Sequence, residues 1–298
     1  MVAARTIHMI TGLNAWAWPS SEILLCPRPP YDRRIKTLQI YVSRSGETTE
    51  TLWALQRLQQ IDPKANMLAI TTNPQGSLGR MTTRTILLDH AAEQGIVATR
   101  SVAASTLAGQ MLAAWLLPDD RLVNDLRGIP HAINLNERKV DLQKIAGAKP
   151  VHTIMAGHGP MTGVAHEAAM KFKQLAGTSA EVLLPLEMRH GLWAAIKPDT
   201  MSFFFQTETL KGLEDEIIWE CAKMTGPRCA FTEVASTQLK SGTDHVVELK
   251  SGLSECARAV PMMSFMQLLA FYLSIARGAN PDKPRHSVAP VRVHVPTG

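Results

Sequence analysis

Strand-like and helix-like segments alternate along the first half of the chain. Short runs rich in β-branched and aromatic residues are separated by stretches whose apolar residues recur at helical spacing. This pattern predicts strands at residues 37–43, 66–71 and 84–88 and helices at 48–59 and 101–117. Strands that alternate with helices in this way favour a parallel sheet with helices on both faces.

The second half of the chain repeats this alternation. A polar helical segment at 122–146 is followed by residues 147–150, which are typical of a linker. Beyond it, the pattern predicts strands at 151–156, 202–206, 228–231 and 245–249 and a helix at 162–176. A length of 298 residues is also about twice that of an ordinary domain. We therefore predict two α/β domains, residues 1–146 and 147–298.

Composition and charge narrow the possible partners. Hydrophobic residues make up 45% of the chain and charged residues 19%, an ordinary globular balance. The formal net charge is +5, but the densest basic cluster, residues 32–36, is too small for a nucleic-acid interface. The apolar run at 262–276 is interrupted by polar residues and is shorter than the ~20 residues of a membrane span. It predicts a buried helix and no membrane association.

The four cysteines lie at wide and irregular spacing. They form neither a metal-binding pair nor a disulfide framework, and the histidines show no metal-ligand spacing. The first residues of the chain lack the apolar stretch of a signal peptide. These features favour a cytoplasmic protein with reduced thiols and without a bound metal.

A segment rich in Ser and Thr, residues 43–51, lies between a predicted strand and a predicted helix. Unpaired N–H groups at the helix start, the hydroxyls of Ser45 and Thr48, and the flexible backbone of Gly46 are suited to bind a phosphate. The segment has neither the GxxxxGK[ST] nor the GxGxxG pattern, which disfavours a nucleotide-dependent oxidoreductase. As an alternative, its hydroxyls only cap the helix and its glutamates complement the helix dipole.

Six motifs in order along the chain resemble those of one known family. They are Ser-x-Ser-Gly-x-Thr at 43–48, Ala-Ile-Thr-Thr-Asn at 69–73, Glu-Gln-Gly-Ile-Val-Ala-Thr-Arg at 93–100, the charged helix at 166–174, Leu-Glu-Met-Arg-His-Gly at 186–191 and Asp-Lys-Pro-Arg at 282–285. The family is that of SIS (sugar isomerase) domains. It includes the isomerase half of glucosamine-6-phosphate synthase and standalone phosphosugar isomerases and deaminases.

The resemblance implies two SIS domains, each a flavodoxin-like sandwich of three layers with a mostly parallel sheet between helices. It also implies a homodimer that binds a small-molecule sugar phosphate. By the same resemblance, Ser43, Ser45 and Thr48, together with Gly46, hold the phosphate. Arg285 in the last motif is expected to contribute to substrate binding.

The resemblance further implies catalytic roles. His190 matches the histidine that assists opening of the sugar ring, and Lys171 matches the lysine beside the catalytic carboxylate. That carboxylate falls on Gln174, whose amide has no useful basicity. Because Glu167, Lys171 and Gln174 share one helix face, Glu167 is a candidate substitute base. The alternative is that Glu167 only forms a surface ion pair with Lys171. Glu187, three residues before His190, is a second candidate base.

The chain departs from the family pattern at both ends. The family's opening strand and its Gly- and Ser-rich loop have no counterpart, because the sequence starts within what resembles the first helix. Loss of a strand would leave a sheet edge unpaired, so we expect that the first domain is truncated at its N-terminus. The family's C-terminal lysine falls near Ala289 or Pro290, so no lysine of the tail is assumed to contribute.

These observations favour an enzyme that isomerises or deaminates a hexose or hexosamine 6-phosphate. Both reactions begin with ring opening and proceed by proton transfer between C1 and C2 of the sugar, without a metal or redox cofactor. The alternative is a binding or sensing protein that has kept the phosphate loop and has lost the base at Gln174.

Overall fold

The computed structural model describes residues 1–133 and 135–287, with the backbone alone for residues 135–140. Within these residues the strands are β1 (Leu38–Val42), β2 (Asn66–Thr71), β3 (Arg84–Leu87), β4 (His152–Gly157), β5 (Ser179–Leu183), β6 (Thr200–Phe205), β7 (Arg228–Thr232) and β8 (His245–Glu248).

The helices are α1 (Val2–Thr11), α2 (Ser20–Leu25), α3 (Thr49–Ile61), α4 (Ser77–Met81), α5 (Arg100–Leu116), α6 (Asp120–Ala132), α7 (Leu135–Gly147), α8 (Pro160–Ala176), α9 (Lys211–Cys221), α10 (Thr237–Gly242) and α11 (Glu255–Ala276). Short 3₁₀ helices lie at Asp89–Ala91, Pro185–Arg189 and Leu192–Ala195.

Most of the predicted strands and helices are confirmed, with ends within two residues of the prediction. The polar segment at 122–146 forms two helices, α6 and α7, and not one. The sequence pattern also missed α2, α4 and β5. β5 is an edge strand with only one fully buried residue, so its apolar pattern is weak.

The chain forms two compact units, Trp16–Ala108 and a larger one made of Met1–Ala15 and Gly109–Arg285. They do not follow the predicted boundary at residue 146, because α1, α6 and α7 pack with α8 or α11 of the larger unit. In α1, Val2 packs so closely on Gly163 of α8 that a Cβ at residue 163 would lie 2.5 Å from the Val2 side chain. Which residues constitute each family domain stays a prediction.

The smaller unit is built on a parallel sheet with strand order β1-β2-β3. One face packs against α2, α3 and α4, where the buried residues are Ile23, Tyr41, Ala54, Leu55, Leu58, Met67, Ala69 and Leu78. The other face is covered by residues that include Ile70, Leu88, Ala91 and Ala108. No strand precedes β1 in residues 1–37, and the predicted truncation stays a prediction.

The larger unit is built on a parallel sheet with strand order β5-β4-β6-β7-β8. Its central strand β6 is buried along its whole length. One face packs on α9 and α10. On the other face, the rings of Phe172 of α8 and Phe203 of β6 make an edge-to-face contact, with their centroids 5.5 Å apart. Both sheets therefore lie between helices, as predicted for parallel sheets.

Helix α11 is the core helix of the larger unit. It is long and apolar enough to cross a membrane by length and composition, but 61% of its apolar window is buried inside the protein. It packs against α7 and α8 and carries a buried arginine, Arg258. The prediction of a buried helix at 262–276 is confirmed.

Candidate functional site: the loop between β1 and α3

Residues 43–48 join β1 to α3 and are called the β1–α3 loop below. The Oγ of Ser43 lies 3.0 Å from the Oγ1 of Thr48 and accepts a hydrogen bond from the N–H of Gly46 at 3.2 Å. Ser43 is buried, whereas Thr48 is half-buried. The structure thus brings these two predicted phosphate-binding hydroxyls together at the carboxyl end of a strand.

Gly46 is required by the shape of this loop. Its φ is +66°, in the left-handed region, and a Cβ there would lie 3.1 Å from the Cα of Gly76 and 3.3 Å from the Oγ1 of Thr71. A side chain at residue 46 would therefore be strained by the backbone and crowded by the next loop. Glycine at residue 46 therefore allows the left-handed backbone of the loop and its close packing against Gly76.

The end of β2 holds the β1–α3 loop in place. The carbonyl of Arg44 accepts hydrogen bonds from the N–H of Thr72 and from the hydroxyls of Thr71 and Thr72. The side-chain amide of Asn73 donates to the carbonyl of Ser45 at 2.8 Å. The Thr-Thr-Asn motif is therefore explained as the support of the loop.

The carboxylate of Glu47 accepts hydrogen bonds from the first residue of α4, Ser77. It accepts hydrogen bonds from the N–H of Ser77 at 2.7 Å and from its hydroxyl at 3.2 Å. The Oγ of Ser45 accepts the N–H of Glu47 at 3.1 Å. Among the described residues, no side-chain hydrogen bond caps α3 at its N-cap, Thr48, so the capping alternative is wrong for Thr48. The positive end of the helix dipole and the hydroxyls of the loop together suit an anion.

The predicted catalytic residues of α8 form a buried polar cluster in the larger unit. The Nζ of Lys171 lies 3.1 Å from the Oε1 of Glu167 and donates to the Oε1 of Gln174 at 3.3 Å. From α11, the amide of Gln267 donates to the same oxygen of Glu167 at 3.0 Å. The lysine and glutamate side chains are 2% and 5% exposed, so their ion pair is buried and not the surface pair considered above.

His190 lies in the turn after the 3₁₀ helix Pro185–Arg189, followed by Gly191 with a φ of +90°. Its side chain is 76% exposed, and its Nε2 lies 3.9 Å from the Oε2 of Glu187. The two candidate catalytic residues of the motif at 186–191 therefore lie next to each other. At this exposure the imidazole of His190 is open to contact with a ligand.

Arg285 lies in an exposed turn after α11. It belongs to the larger unit, whereas the β1–α3 loop belongs to the smaller one. Its predicted role in substrate binding stays a prediction. Ala289 and Pro290, near which the family's C-terminal lysine falls, lie outside the described residues.

Glu93 has a structural role that the sequence pattern did not reveal. Its carboxylate accepts hydrogen bonds from the N–H groups of Thr99, Arg100 and Ser101, at the start of α5. Burial alone would raise the pKa of Glu93, but the hydrogen bonds from Ser101 and Thr99 lower it below its ordinary value of 4.5. The motif at 93–100 therefore contains both the start of α5 and the glutamate that accepts hydrogen bonds from its first N–H groups.

His158 was also missed, because a histidine between two glycines carries little signal. Its Nδ1 lies 2.9 Å from the Oε1 of Glu214, and the other oxygen of Glu214 accepts the N–H of Thr207 at 2.8 Å. His158 and Thr207 follow the ends of β4 and β6. This contact joins residues 56 positions apart and depends on the sheet order.

In the described part of the chain, no group of three or more His, Cys, Asp or Glu residues is arranged to hold a metal ion. All four cysteines are free, and three of them are buried.

The chain belongs to the SIS domain family, since the SIS domain profile matches residues 33–115 and 144–275, most of its length. This confirms the predicted family and fold class. The chain is 26% identical over 275 residues to the isomerizing glutamine–fructose-6-phosphate aminotransferase of Aeropyrum pernix. That alignment covers 87% of this chain and 44% of the aminotransferase, so the chain spans less than half the length of this relative.

Solved structures with the same fold include two sugar-phosphate enzymes. Glucosamine-6-phosphate deaminase from Thermotoga maritima superposes with a TM-score of 0.78 at 24% identity, covering 96% of this chain and 84% of that one. Tagatose-6-phosphate ketose/aldose isomerase from Escherichia coli gives a TM-score of 0.82 at 19% identity, covering 100% of this chain and 83% of that one. At these identities the similarity shows the fold alone.

Proposed function

We propose that this protein binds a hexose or hexosamine 6-phosphate through the β1–α3 loop and isomerises or deaminates it. The observation that carries the proposal is the pairing of Ser43 and Thr48 at the start of α3, 3.0 Å apart. The aminotransferase, deaminase and isomerase described above are each named for a hexose or hexosamine 6-phosphate.

In this proposal, the hydroxyls of Ser43, Ser45 and Thr48 donate hydrogen bonds to the phosphate oxygens. The N–H groups at the start of α3 add donors, and Gly46 allows the loop conformation that brings these groups together. Hydrogen bonds to a charged group contribute about 1.5–3 kcal/mol each, so a few of them suffice for specific binding. We also propose that Arg285 contributes to substrate binding.

The proposed chemistry starts with opening of the sugar ring. A proton leaves the C1 hydroxyl and one is delivered to the ring oxygen, a transfer that we assign to His190. A base then removes the C2 proton and returns it at C1 through an enediol or enolamine. In deamination, water then adds to C2 and the C–N bond breaks to release ammonia. We assign this step to Glu167, with Lys171 stabilising the carboxylate and Gln174 as a hydrogen-bonding group.

A non-catalytic function in phosphosugar binding or sensing is the second candidate. It is supported by the contacts of Glu167, whose Oε1 is shared by Lys171 and Gln267. A carboxylate held in this way must give up part of its buried ion pair to accept a proton. The amide of Gln174 offers no base in its place. For either function, we propose a cytoplasmic homodimer.

The two candidates are separated by hydrogen exchange. The protein is incubated in deuterated water with fructose 6-phosphate or glucosamine 6-phosphate, and the C1 protons of the ketose or the C2 proton of the amino sugar are followed by proton NMR. An enzyme exchanges these protons, and Glu167→Gln abolishes the exchange while Glu216→Gln, at an exposed carboxylate of α9, leaves it unchanged. Binding without exchange supports the sensing function, and the absence of binding contradicts both.

A further inference from the structure

The two units repeat one arrangement of elements. The order β1-α3-β2-α4-β3-α5 corresponds to β6-α9-β7-α10-β8-α11, with neighbouring parallel strands in both sheets. Residues 206–210, called the β6–α9 loop below, therefore occupy the same place in the second arrangement as the β1–α3 loop in the first. Both loops follow the carboxyl end of a parallel strand, where ligands of such folds bind.

Hydrogen-bond donors of the β6–α9 loop already bind a carboxylate of the protein, that of Glu255. The Oε2 of Glu255 accepts the N–H of Glu208 at 2.8 Å and the N–H of Thr209 at 3.1 Å. Its Oε1 accepts the hydroxyl of Thr209 at 3.0 Å. Two adjacent backbone N–H groups and one hydroxyl on a single anion form the kind of donor set that binds phosphate.

A buried cation with unused donors lies beside this loop. Arg258 is 1% exposed, and its Nη1 donates to the Oε1 of Glu208 at 2.8 Å and lies 3.6 Å from the Oε2 of Glu233. Among the described residues, its Nε and Nη2 have no hydrogen-bond partner. Buried guanidinium N–H groups without an acceptor are unfavourable, so this place is suited to more anionic oxygen than the protein supplies.

The helices that follow the third strand of each arrangement begin with opposite charges. Helix α5 begins with Arg100, whereas α11 begins with Glu255. The second arrangement thus carries a carboxylate of its own where the first carries a cation.

We propose that the β6–α9 loop is a second anion site, suited to a phosphate group, that Glu255 occupies and keeps closed. The intact chain then binds phosphate at the β1–α3 loop alone. Glu255 competes with free phosphate because it is tethered beside the donors and therefore acts at a high effective concentration. Phosphate binding at the β1–α3 loop rests on the proposed function. The site at the β6–α9 loop does not depend on it.

The test removes the first site and then opens the second. In a Ser45→Ala/Thr48→Ala background, Glu255→Ala is titrated with inorganic phosphate by calorimetry, and its Tm is measured with and without phosphate. We expect one phosphate per chain, at least tenfold tighter than in the background chain, and a Tm that rises with phosphate. Glu216→Ala, at an exposed carboxylate of α9, serves as the control that gains no binding.

If Glu255→Ala does not fold without ligand, Glu255→Ser is used, because its short side chain vacates the loop's donors and serine is favoured near the start of a helix. Absence of phosphate binding and of a Tm rise in the folded variant overturns the proposal. So does phosphate binding to the background chain, with Glu255 intact, that is as tight as binding to the Glu255→Ala variant. Failure of the proposed function is recognised separately, since the unaltered chain would then bind no fructose 6-phosphate.

Discussion

The side-chain oxygens of Ser43 and Thr48 lie 3.0 Å apart across the turn that joins β1 to α3. Ser43 follows the last residue of the strand and Thr48 precedes the first residue of the helix. Their contact therefore joins the two ends of the loop, and it places two hydroxyls near the positive end of the helix. This pairing is the basis of the phosphate site proposed above, whose members can be tested one by one.

Removal of two loop hydroxyls should abolish sugar-phosphate binding without unfolding the protein. In Ser45→Ala/Thr48→Ala the phosphate loses two donors, each worth about 1.5–3 kcal/mol toward a charged group, so we expect at least a hundredfold loss of affinity for fructose 6-phosphate. Titration calorimetry measures the affinity. Thr37→Ala, whose hydroxyl binds the carbonyl of Ile35, is the matched control. Unchanged affinity in the double variant would contradict the assignment of the loop.

Gly46→Ala should destabilise the smaller unit. The new Cβ would be placed at a φ of +66° and 3.1 Å from the Cα of Gly76, and we expect a loss of about 1–3 kcal/mol in the free energy of unfolding. Urea unfolding provides the measurement. In Gly212→Ala the new methyl group meets nothing within 4 Å, and alanine in a helix is favourable, so this control should be neutral or stabilising. Equal effects at the two sites would show that the loop tolerates a side chain.

The contribution of Glu93 to stability should depend on pH. Because the pKa of Glu93 is lowered below 4.5 in the folded protein, its carboxylate stabilises the fold above that pH and loses this effect as the pH falls through the folded pKa. The difference in unfolding free energy between the unaltered chain and Glu93→Gln should thus be constant near neutrality and shrink under acid conditions. Urea unfolding over a pH series tests this, and a difference that does not change with pH would refute it.

Breaking the buried ion pair of α8 should be far more costly than breaking an exposed one. Lys171→Met removes the cation beside a glutamate that is 5% exposed, and we expect a loss of about 3–5 kcal/mol. Much of this loss should be recovered in Glu167→Gln/Lys171→Met. Arg189→Met breaks the partly exposed pairs with Glu220 at 2.8 Å and with Glu216 at 3.3 Å, and because solvent screens such pairs it should cost less than about 1 kcal/mol. Similar losses in the two single variants, measured by urea unfolding, would argue against the role of burial.

Gln174→Glu should raise the rate of C1 and C2 proton exchange if a missing base limits catalysis. The Oε1 of Gln174 accepts the Nζ of Lys171 at 3.3 Å, so a carboxylate there would lie beside a cation and stay ionised. Proton NMR in deuterated water follows the exchange. Gln238→Glu, on α10, is a control that should have no effect. No gain in Gln174→Glu would mean that a group other than residue 174 limits the reaction.

Features set by neighbouring residues could be predicted from the sequence. The alternation of strands and helices, the loop of Ser43 and Thr48, and the shared helix face of Glu167 and Lys171 all depend on local periodicity. The structure confirms these placements. Their roles in binding and catalysis stay predictions.

Contacts between distant segments could not be predicted in this way. Glu255 binds Thr209 across 46 positions, and His158 binds Glu214 across 56. Such pairs depend on the order of the strands and on which helix packs over which strand end. For the same reason, the pattern could not show that α1 packs with the helices of the second sheet.

A crystal structure with bound fructose 6-phosphate tests the central claim most directly. The proposal places the phosphate in the β1–α3 loop, with its oxygens within hydrogen-bonding distance of the hydroxyls of Ser45 and Thr48. A sugar phosphate bound elsewhere, with this loop empty or filled by the carboxylate of Glu47, would contradict it.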